Sequence, residues 1–193
     1  VGFIAEIIDR LIAKKIADPN RIYVTGISNG AFMTNRLSLS ISDKIAAVAP
    51  VAGTLPLSML NQDNNPPAIP IIYFHGTKDR LVGIDGSDFI TSARMSFSAP
   101  DFMNWWAGRN GIAELPVEEK KLPDTDPSDN CRVTLITRNS KEAPVHFYRI
   151  DGGGHTWPGG SRQQPEKLLG EICFDINASE LIWRFFQDHS KAD

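Results

Sequence analysis

Residues 26–30 read Gly-Ile-Ser-Asn-Gly, and they constrain the fold more than any other stretch of the chain. The preceding residues 22–25 are β-branched or aromatic, and the residues after Gly30 place apolar side chains at helical spacing, which predicts a strand, a sharp turn and a helix. In that context Gly-x-Ser-x-Gly is typical of a nucleophile elbow, whose strained turn presents the serine hydroxyl at the edge of a sheet. Ser28 is therefore the candidate nucleophile. The backbone N–H of Asn29, at the start of the helix, is a candidate oxyanion donor.

Length and charge set the class of protein. The chain has 193 residues, a net charge of −3 and a pI near 5.8. This length suits one domain over residues 1–193, and the charge gives no basic field for nucleic acid. No apolar run approaches the length of a membrane span, so we expect a soluble protein with no membrane partner. The chain starts at Val1 inside a helical pattern and without an initiator Met, which predicts that the domain is incomplete at its N-terminus.

The hydrophobic pattern alternates between helices and buried strands. It predicts helices over residues 2–17, after Gly30, from Pro100 to near Gly111 and over 177–189. It predicts strands at 22–25, 45–51 and 69–74, with antiparallel or edge strands at 131–137 and 145–150. Residues 55–67, 81–99 and 115–130 are expected to be irregular. A helix between two buried strands implies a parallel sheet, so the predicted class is α/β with a mostly parallel sheet flanked by helices.

A serine nucleophile needs a base, and four histidines are available. His155 follows three glycines after the last predicted strand, in a loop of the kind that carries function. His75 lies at a strand end and His146 lies inside a strand, so each is a weaker candidate. His189 lies in the final helix and is expected to be exposed. His155 is therefore the candidate base.

The acid partner should also follow a strand. Asp79 stands just after the buried strand that ends in His-Gly-Thr, whereas Asp85, Asp88 and Asp101 lie further from a strand end. The candidate residues run Ser28, Asp79, His155, each after a separate strand, and this is the chain order of α/β-hydrolase triads.

Several motifs carry a resemblance to a known family. GISNG after DPNRIYVT, AVAPVAG, HGTKD, YRIDGGGHTWPGG and DINASELIWRFF resemble the polyhydroxybutyrate depolymerase and feruloyl esterase (LpqC-like) family of secreted α/β-hydrolases, over nearly the whole chain. The resemblance implies Ser28 as nucleophile, Asp79 as acid, His155 as base, Asn29 as an oxyanion donor and Trp157 as a substrate contact. It also implies secretion or a periplasmic location. In the family, further strands and a His-Gly oxyanion loop precede the opening helix, so we expect those strands and the second oxyanion donor upstream of Val1.

Three further points concern the roles of the tryptophans, the binding of a metal or cofactor, and the pairing of the two cysteines. Trp157 can stack on a sugar or aromatic acyl group or can pack beneath its loop, while Trp105 and Trp106 lie on a predicted helix and fit core packing better. No residues have metal-ligand spacing and no glycine loop suits phosphate, so we predict no metal and no cofactor. Cys131 and Cys173 can pair or remain buried thiols.

The sequence therefore predicts a serine carboxylic-ester hydrolase that works through an acyl-enzyme. Expected substrates are polyhydroxyalkanoate or feruloyl and acetyl esters, free or as parts of polymers such as plant cell-wall polysaccharide. A serine peptidase of the same fold is the alternative enzyme. A non-catalytic carbohydrate-binding module that uses Trp157, Trp105 and Trp106 is the alternative from another class, and an intact Ser, Asp and His set argues against it.

Overall fold

In the part of the chain that the structure describes, six strands form a single sheet. The computed structural model describes residues 1–62, 67–89, 93–161 and 166–191. The strands are β1 (Tyr23–Ile27), β2 (Ala47–Val51), β3 (Ile71–Gly76), β4 (Glu118–Lys121), β5 (Arg132–Arg138) and β6 (Val145–Asp151). Across the sheet the strands lie in the order β1-β2-β3-β6-β5-β4. The pairs β1–β2, β2–β3 and β3–β6 are parallel, whereas β6–β5 and β5–β4 are antiparallel. The mostly parallel α/β sheet predicted from the sequence is confirmed.

Helices cover both faces of the sheet. They are α1 (Gly2–Ala13), α2 (Asn29–Ser40), α3 (Ala99–Arg109), α4 (Glu166–Leu169) and α5 (Ala178–Gln187). The apolar side chains of α1, α2 and α3 pack in one core cluster, and those of α5 pack in a second. Successive strand residues alternate between the two clusters, with Val48 in the first and Ala49 in the second. The continuous apolar run of β2 is therefore explained by burial on both faces.

The strands near the antiparallel edge agree with the sequence expectation only in part. β5 and β6 pair antiparallel as predicted, but β6 also pairs in parallel with β3 and is therefore not an edge strand. β4 falls within residues 115–130, where we predicted only a solvated excursion. Its four residues, Glu-Glu-Lys-Lys, are all exposed, so no apolar alternation marked it as a strand.

The observed end of the first helix differs from the predicted one, whereas the start of the last helix agrees with the prediction. The opening helix was predicted to reach residue 17 but ends at Ala13, because Lys15 has a φ of 56° and the Ile16 N–H donates to the Leu11 carbonyl. Asn177 caps α5 as predicted, accepting a hydrogen bond from the Glu180 N–H at 3.2 Å.

The loop predicted at 55–67 contains a 3₁₀ helix, Leu57–Gln62, and its residues 63–66 lie outside the described part of the chain. Residues 90–92 of the predicted irregular stretch 81–99 also lie outside it. Within the described residues, no helix has the length and apolar character needed to cross a bilayer.

The turn between β1 and α2 is strained as the motif predicts. Ser28 has a φ of 58° and a ψ of −117°, a conformation that L-residues rarely adopt. A Cβ added at Gly26 would lie 2.7 Å from the backbone carbon of Gly30, whereas a Cβ added at Gly30 would meet nothing within 4 Å. Only Gly26 is therefore required by the close approach of strand and helix, although the motif pairs the two glycines.

The difference between Gly26 and Gly30 can be tested by substitution. Gly26→Ala should lower the free energy of unfolding by about 2 kcal/mol, because the new methyl group meets backbone that cannot rotate away. The matched change Gly30→Ala should be neutral or stabilising by up to about 1 kcal/mol, since alanine favours a helix more than glycine does. Urea denaturation of both variants measures the difference, and equal losses would contradict this account of the elbow.

Candidate active site

The three candidate catalytic residues lie on loops at one edge of the sheet. Ser28 follows β1, Asp79 follows β3 and His155 follows β6, and these strands run parallel within the order β1-β2-β3-β6. The carboxyl ends of parallel strands meet at the same edge, which is where open α/β sheets bind ligands. The topology thus places all three residues on the side of the sheet that can carry a site.

Asp79 and His155 are joined directly. The His155 Nδ1 atom lies 2.8 Å from Asp79 Oδ2, and the two side chains are 5% and 0% exposed. The other carboxylate oxygen, Asp79 Oδ1, accepts hydrogen bonds from the N–H groups of Leu81 and Val82, each at 2.9 Å. When His155 donates through Nδ1, its Nε2 atom is left with a lone pair that can accept a proton. The pair therefore has the arrangement of an oriented histidine base.

The hydrogen bonds also decide the charge of Asp79. Burial by itself would raise the pKa of this carboxyl, but the hydrogen bonds from His155 and His75 outweigh burial and lower the pKa of Asp79 to about 2. Asp79 is therefore an ionised acceptor throughout the neutral range. An ionised carboxylate beside the ring stabilises positive charge on His155 when that residue takes up a proton.

His75 also contacts the carboxylate of Asp79. Its Nε2 atom lies 2.8 Å from the Val82 carbonyl oxygen and 3.3 Å from Asp79 Oδ2, and its Nδ1 atom is hydrogen-bonded to the Tyr73 hydroxyl. Both ring nitrogens of this buried residue are engaged, so His75 supports Asp79. From the sequence, His75 is only a weaker candidate for the base, and its contact with Asp79 is seen only in the fold. The four-residue spacing of His75 and Asp79 across a strand end was the available signal.

The loop that carries His155 is held by close backbone contacts. A Cβ at Gly76 would lie 2.2 Å from the Gly153 carbonyl oxygen, and one at Gly154 would lie 2.2 Å from the Leu169 carbonyl oxygen. Of the three glycines before His155, only Gly152 has a positive φ, at 90°. The glycine run therefore serves close packing of the loop against its neighbours more than unusual dihedral angles.

Ser28 opens into a cavity of about 320 Å³. The cavity lies between the elbow and the loop after Asp79, and its lining includes Asn29, Phe32, Leu81 and Val82. In the described part of the chain, no hydrogen bond joins the Ser28 hydroxyl to His155. In unliganded enzymes such a bond is often long and tightens only when substrate binds. Asn29 is the first residue of α2, so its N–H has no acceptor within the helix and is available to an oxyanion.

Trp157 lies against α5. Its indole Nε1–H donates to Ser179 Oγ at 3.0 Å, and its ring packs on the second core cluster. The described residues that line the cavity beside Ser28 do not include it. Of the two roles that the sequence left open for Trp157, the structure therefore favours packing. Trp106 is buried in the first cluster with Trp105 against it, as expected for core residues.

Of the remaining candidates, Asp88 also lines the cavity beside Ser28, whereas the others lie elsewhere. Asp85 accepts hydrogen bonds from Ser87, and Asp101 pairs with Arg94 and Ser98. His146 contacts Asn139 and Phe185, where burial lowers its pKa to about 4, and His189 Nδ1 is hydrogen-bonded to the Phe185 carbonyl.

Folding also brings together three side chains whose spacing in the sequence does not suggest a cluster. The side chains of Asp129, Cys131 and Cys173 are buried, with one donor atom of each within 4.8 Å of the others. Both oxygens of Asp129 already accept backbone N–H groups, from Cys131 at 2.9 Å and from Phe174 at 2.8 Å. These residues belong to the loops around the start of β5, and none of them lines the cavity beside Ser28.

The sequence of this chain is similar to a family of known proteins and to several named esterases. A family model described as phospholipase/carboxylesterase matches residues 2–94. Feruloyl esterase B from Piromyces equi is 31% identical over 160 residues, which are 80% of this chain and 28% of that protein. The putative esterase NocK from Nocardia uniformis subsp. tsuyamanensis is 29% identical over 198 residues, covering 93% of this chain and 55% of that protein. The chain thus spans less than two thirds of the length of either relative.

Solved structures agree on the fold. The acetyl xylan esterase from Aspergillus awamori superposes with a TM-score of 0.57 at 18% identity, over 97% of this chain and 66% of that one. At this identity the likeness concerns the fold alone. Together with the elbow and the sheet order, these matches show an α/β-hydrolase fold, in which residues 2–94 are similar to the phospholipase/carboxylesterase family.

Proposed function

We propose that this protein is a serine carboxylic-ester hydrolase with Ser28 as nucleophile, His155 as base and Asp79 as the acid that orients the base. The observation that carries the proposal is the buried hydrogen bond of 2.8 Å between His155 Nδ1 and Asp79 Oδ2, at the same sheet edge as a strained serine turn. A purely structural pair would not need a nucleophile elbow beside it. The esterase names among the relatives support the same reaction class.

The reaction proceeds in two halves. His155 Nε2 accepts the proton of the Ser28 hydroxyl while Ser28 Oγ attacks the ester carbonyl carbon, and the Asn29 N–H stabilises the resulting oxyanion. The tetrahedral intermediate collapses to an acyl-serine as the alcohol leaves with the proton from His155. Water then loses a proton to His155 and attacks the acyl carbon, which releases the carboxylic acid and restores Ser28. Asp79 remains ionised and holds the ring of His155 throughout.

Substrate class is proposed from the relatives and from the motifs. One relative is named a feruloyl esterase and one structural neighbour an acetyl xylan esterase, so feruloyl and acetyl esters of plant polysaccharide are the first candidates. Polyhydroxyalkanoate esters are a further class, proposed from the motif resemblance. The same resemblance supports secretion or a periplasmic location.

Removal of the nucleophile tests the proposal. Ser28→Ala should lower kcat/KM for nitrophenyl acetate and feruloyl esters by on the order of 10³-fold or more, because no acyl-enzyme can form. The matched control is Ser40→Ala, an exposed serine at the other end of the same helix, which should keep full activity. Turnover by Ser28→Ala within tenfold of the wild type would sink the assignment, and a peptide anilide cleaved faster than the esters would favour a peptidase.

The base and acid should act as one unit with Ser28. His155→Ala should cost about as much as Ser28→Ala, and Asp79→Asn somewhat less. His75→Asn should cost less than either, because His75 acts only through Asp79. Kinetics of the three variants on one ester give the ranking, with circular dichroism as the control for folding. If His75→Asn is the most damaging change, the base has been misassigned.

The pH dependence separates the two ionisable partners. Activity should fall on acidification, since a histidine base acts only when it is neutral. The pKa of Asp79 is lowered on folding to about 2, so its contribution to stability is present above about pH 4 and is lost as the pH falls toward 2. Rate profiles and acid unfolding should therefore show two separate transitions. A kcat/KM that is flat from pH 5 to 8 would contradict a histidine base.

A further inference from the structure

We propose that Cys131 and Cys173 form an intramolecular disulfide that fastens residues 169–175 to the start of β5 and so holds the loop that carries His155. The proposal concerns a covalent link away from the reacting atoms. It stands independently of the ester chemistry proposed above.

The two sulfur atoms are already neighbours in the fold. Cys131 and Cys173 are 0% and 1% exposed, and their Sγ atoms lie within 4.8 Å of each other. A disulfide needs the sulfurs at about 2.0 Å, so closure requires an approach of only about 2 to 3 Å, within the reach of side-chain rotation. The cysteines lie in different loops, and their meeting is a product of folding rather than of sequence proximity.

A shared carboxylate holds the backbone on both sides of the pair. Asp129 accepts hydrogen bonds from the Cys131 N–H and from the Phe174 N–H, so one side chain bridges the two cysteine-bearing segments. A second bridge runs the other way, from the Thr125 N–H to Asp175 Oδ1 at 2.7 Å. These hydrogen bonds hold the two cysteine-bearing segments next to each other.

The segment that contains Cys173 supports the base. The N–H groups of Gly154 and His155 donate to the carbonyl oxygens of Glu171 and Leu169, and the Gly159 N–H donates to the carbonyl oxygen of Cys173 itself at 2.8 Å. The loop on both sides of His155 is therefore held in place by hydrogen bonds to residues 169–173. Fixing Cys173 to β5 restricts the motion of this support relative to the sheet that positions Asp79.

The chemistry of closure is thiol–disulfide exchange. A small disulfide such as oxidised glutathione accepts two electrons and becomes two thiols, while Cys131 and Cys173 lose two protons and form one S–S bond. The hydrogen bond from Cys173, together with burial, raises the pKa of the Cys131 thiol in the folded protein, so little reactive thiolate is present there. The bond is therefore expected to form during folding, while both thiols are accessible.

The test is to refold the protein in a mixture of oxidised and reduced glutathione and to count free thiols by mass. After denaturation and treatment with iodoacetamide, the wild type should carry no added alkyl group and should weigh two hydrogens less than its reduced form. Proteolysis should give one peptide that links Cys131 to Cys173. The oxidised form should melt about 10 °C above the reduced form, because the bond closes a long loop in the unfolded chain.

Two variants keep the test sharp. The double variant Cys131→Ser, Cys173→Ser should melt at one temperature with or without reductant. Ser28→Ala should form the same bond as the wild type, so a failure of the ester assignment would not affect this result. Alkylation of both cysteines after refolding in oxidised glutathione would overturn the proposal. So would stoichiometric zinc held by free thiols, or equal melting temperatures of the oxidised and reduced forms.

Discussion

The hydrogen bond between Asp79 and His155 depends on how closely the ends of β3 and β6 approach each other. The Thr77 N–H donates to the Ile150 carbonyl, and the Lys78 N–H donates to that of Gly153, so the chain leaving each strand is joined to the other. A side chain at Gly76 would block this approach. The parallel pairing of β3 with β6 is therefore what brings together two residues that are far apart in the sequence.

On the other side of the site, the strained turn at Ser28 fixes the position of the candidate nucleophile. The strained backbone of Ser28 persists because its surroundings fix it: the Ser28 N–H donates to the Val51 carbonyl, and its own carbonyl accepts from Phe32 in α2. β2 thus lies between the nucleophile strand and the acid strand and ties the elbow to the sheet. Since all residues of β2 are buried, the spacing of the two halves of the site is set by a strand that is packed on both faces.

Much of this arrangement could be predicted from the sequence, because the parallel strands are apolar runs bounded by turns and the candidate residues follow them. The exposed strand β4 could not be predicted, since its charged residues carry no burial pattern. The support of Asp79 by His75 and Tyr73, and the meeting of Cys131 with Cys173, were also beyond the sequence. The cysteines meet through tertiary contacts that no local pattern encodes, and the four-residue spacing of His75 and Asp79 does not by itself show that their side chains touch. Trp157 shows the same limit, because only the position of Ser179 on α5 distinguishes packing from an open stacking face.

We propose that Ser28 is a nucleophile activated by the pair of Asp79 and His155. The decisive measurement is labelling of the folded protein with a fluorophosphonate probe at neutral pH, followed by mapping of the modified peptide. A single adduct on Ser28 is expected, formed rapidly in the wild type and more slowly, by on the order of 10³-fold, in His155→Ala. An adduct on another residue, or labelling of Ser28 at the same rate in both proteins, would show that Ser28 is not activated by this pair.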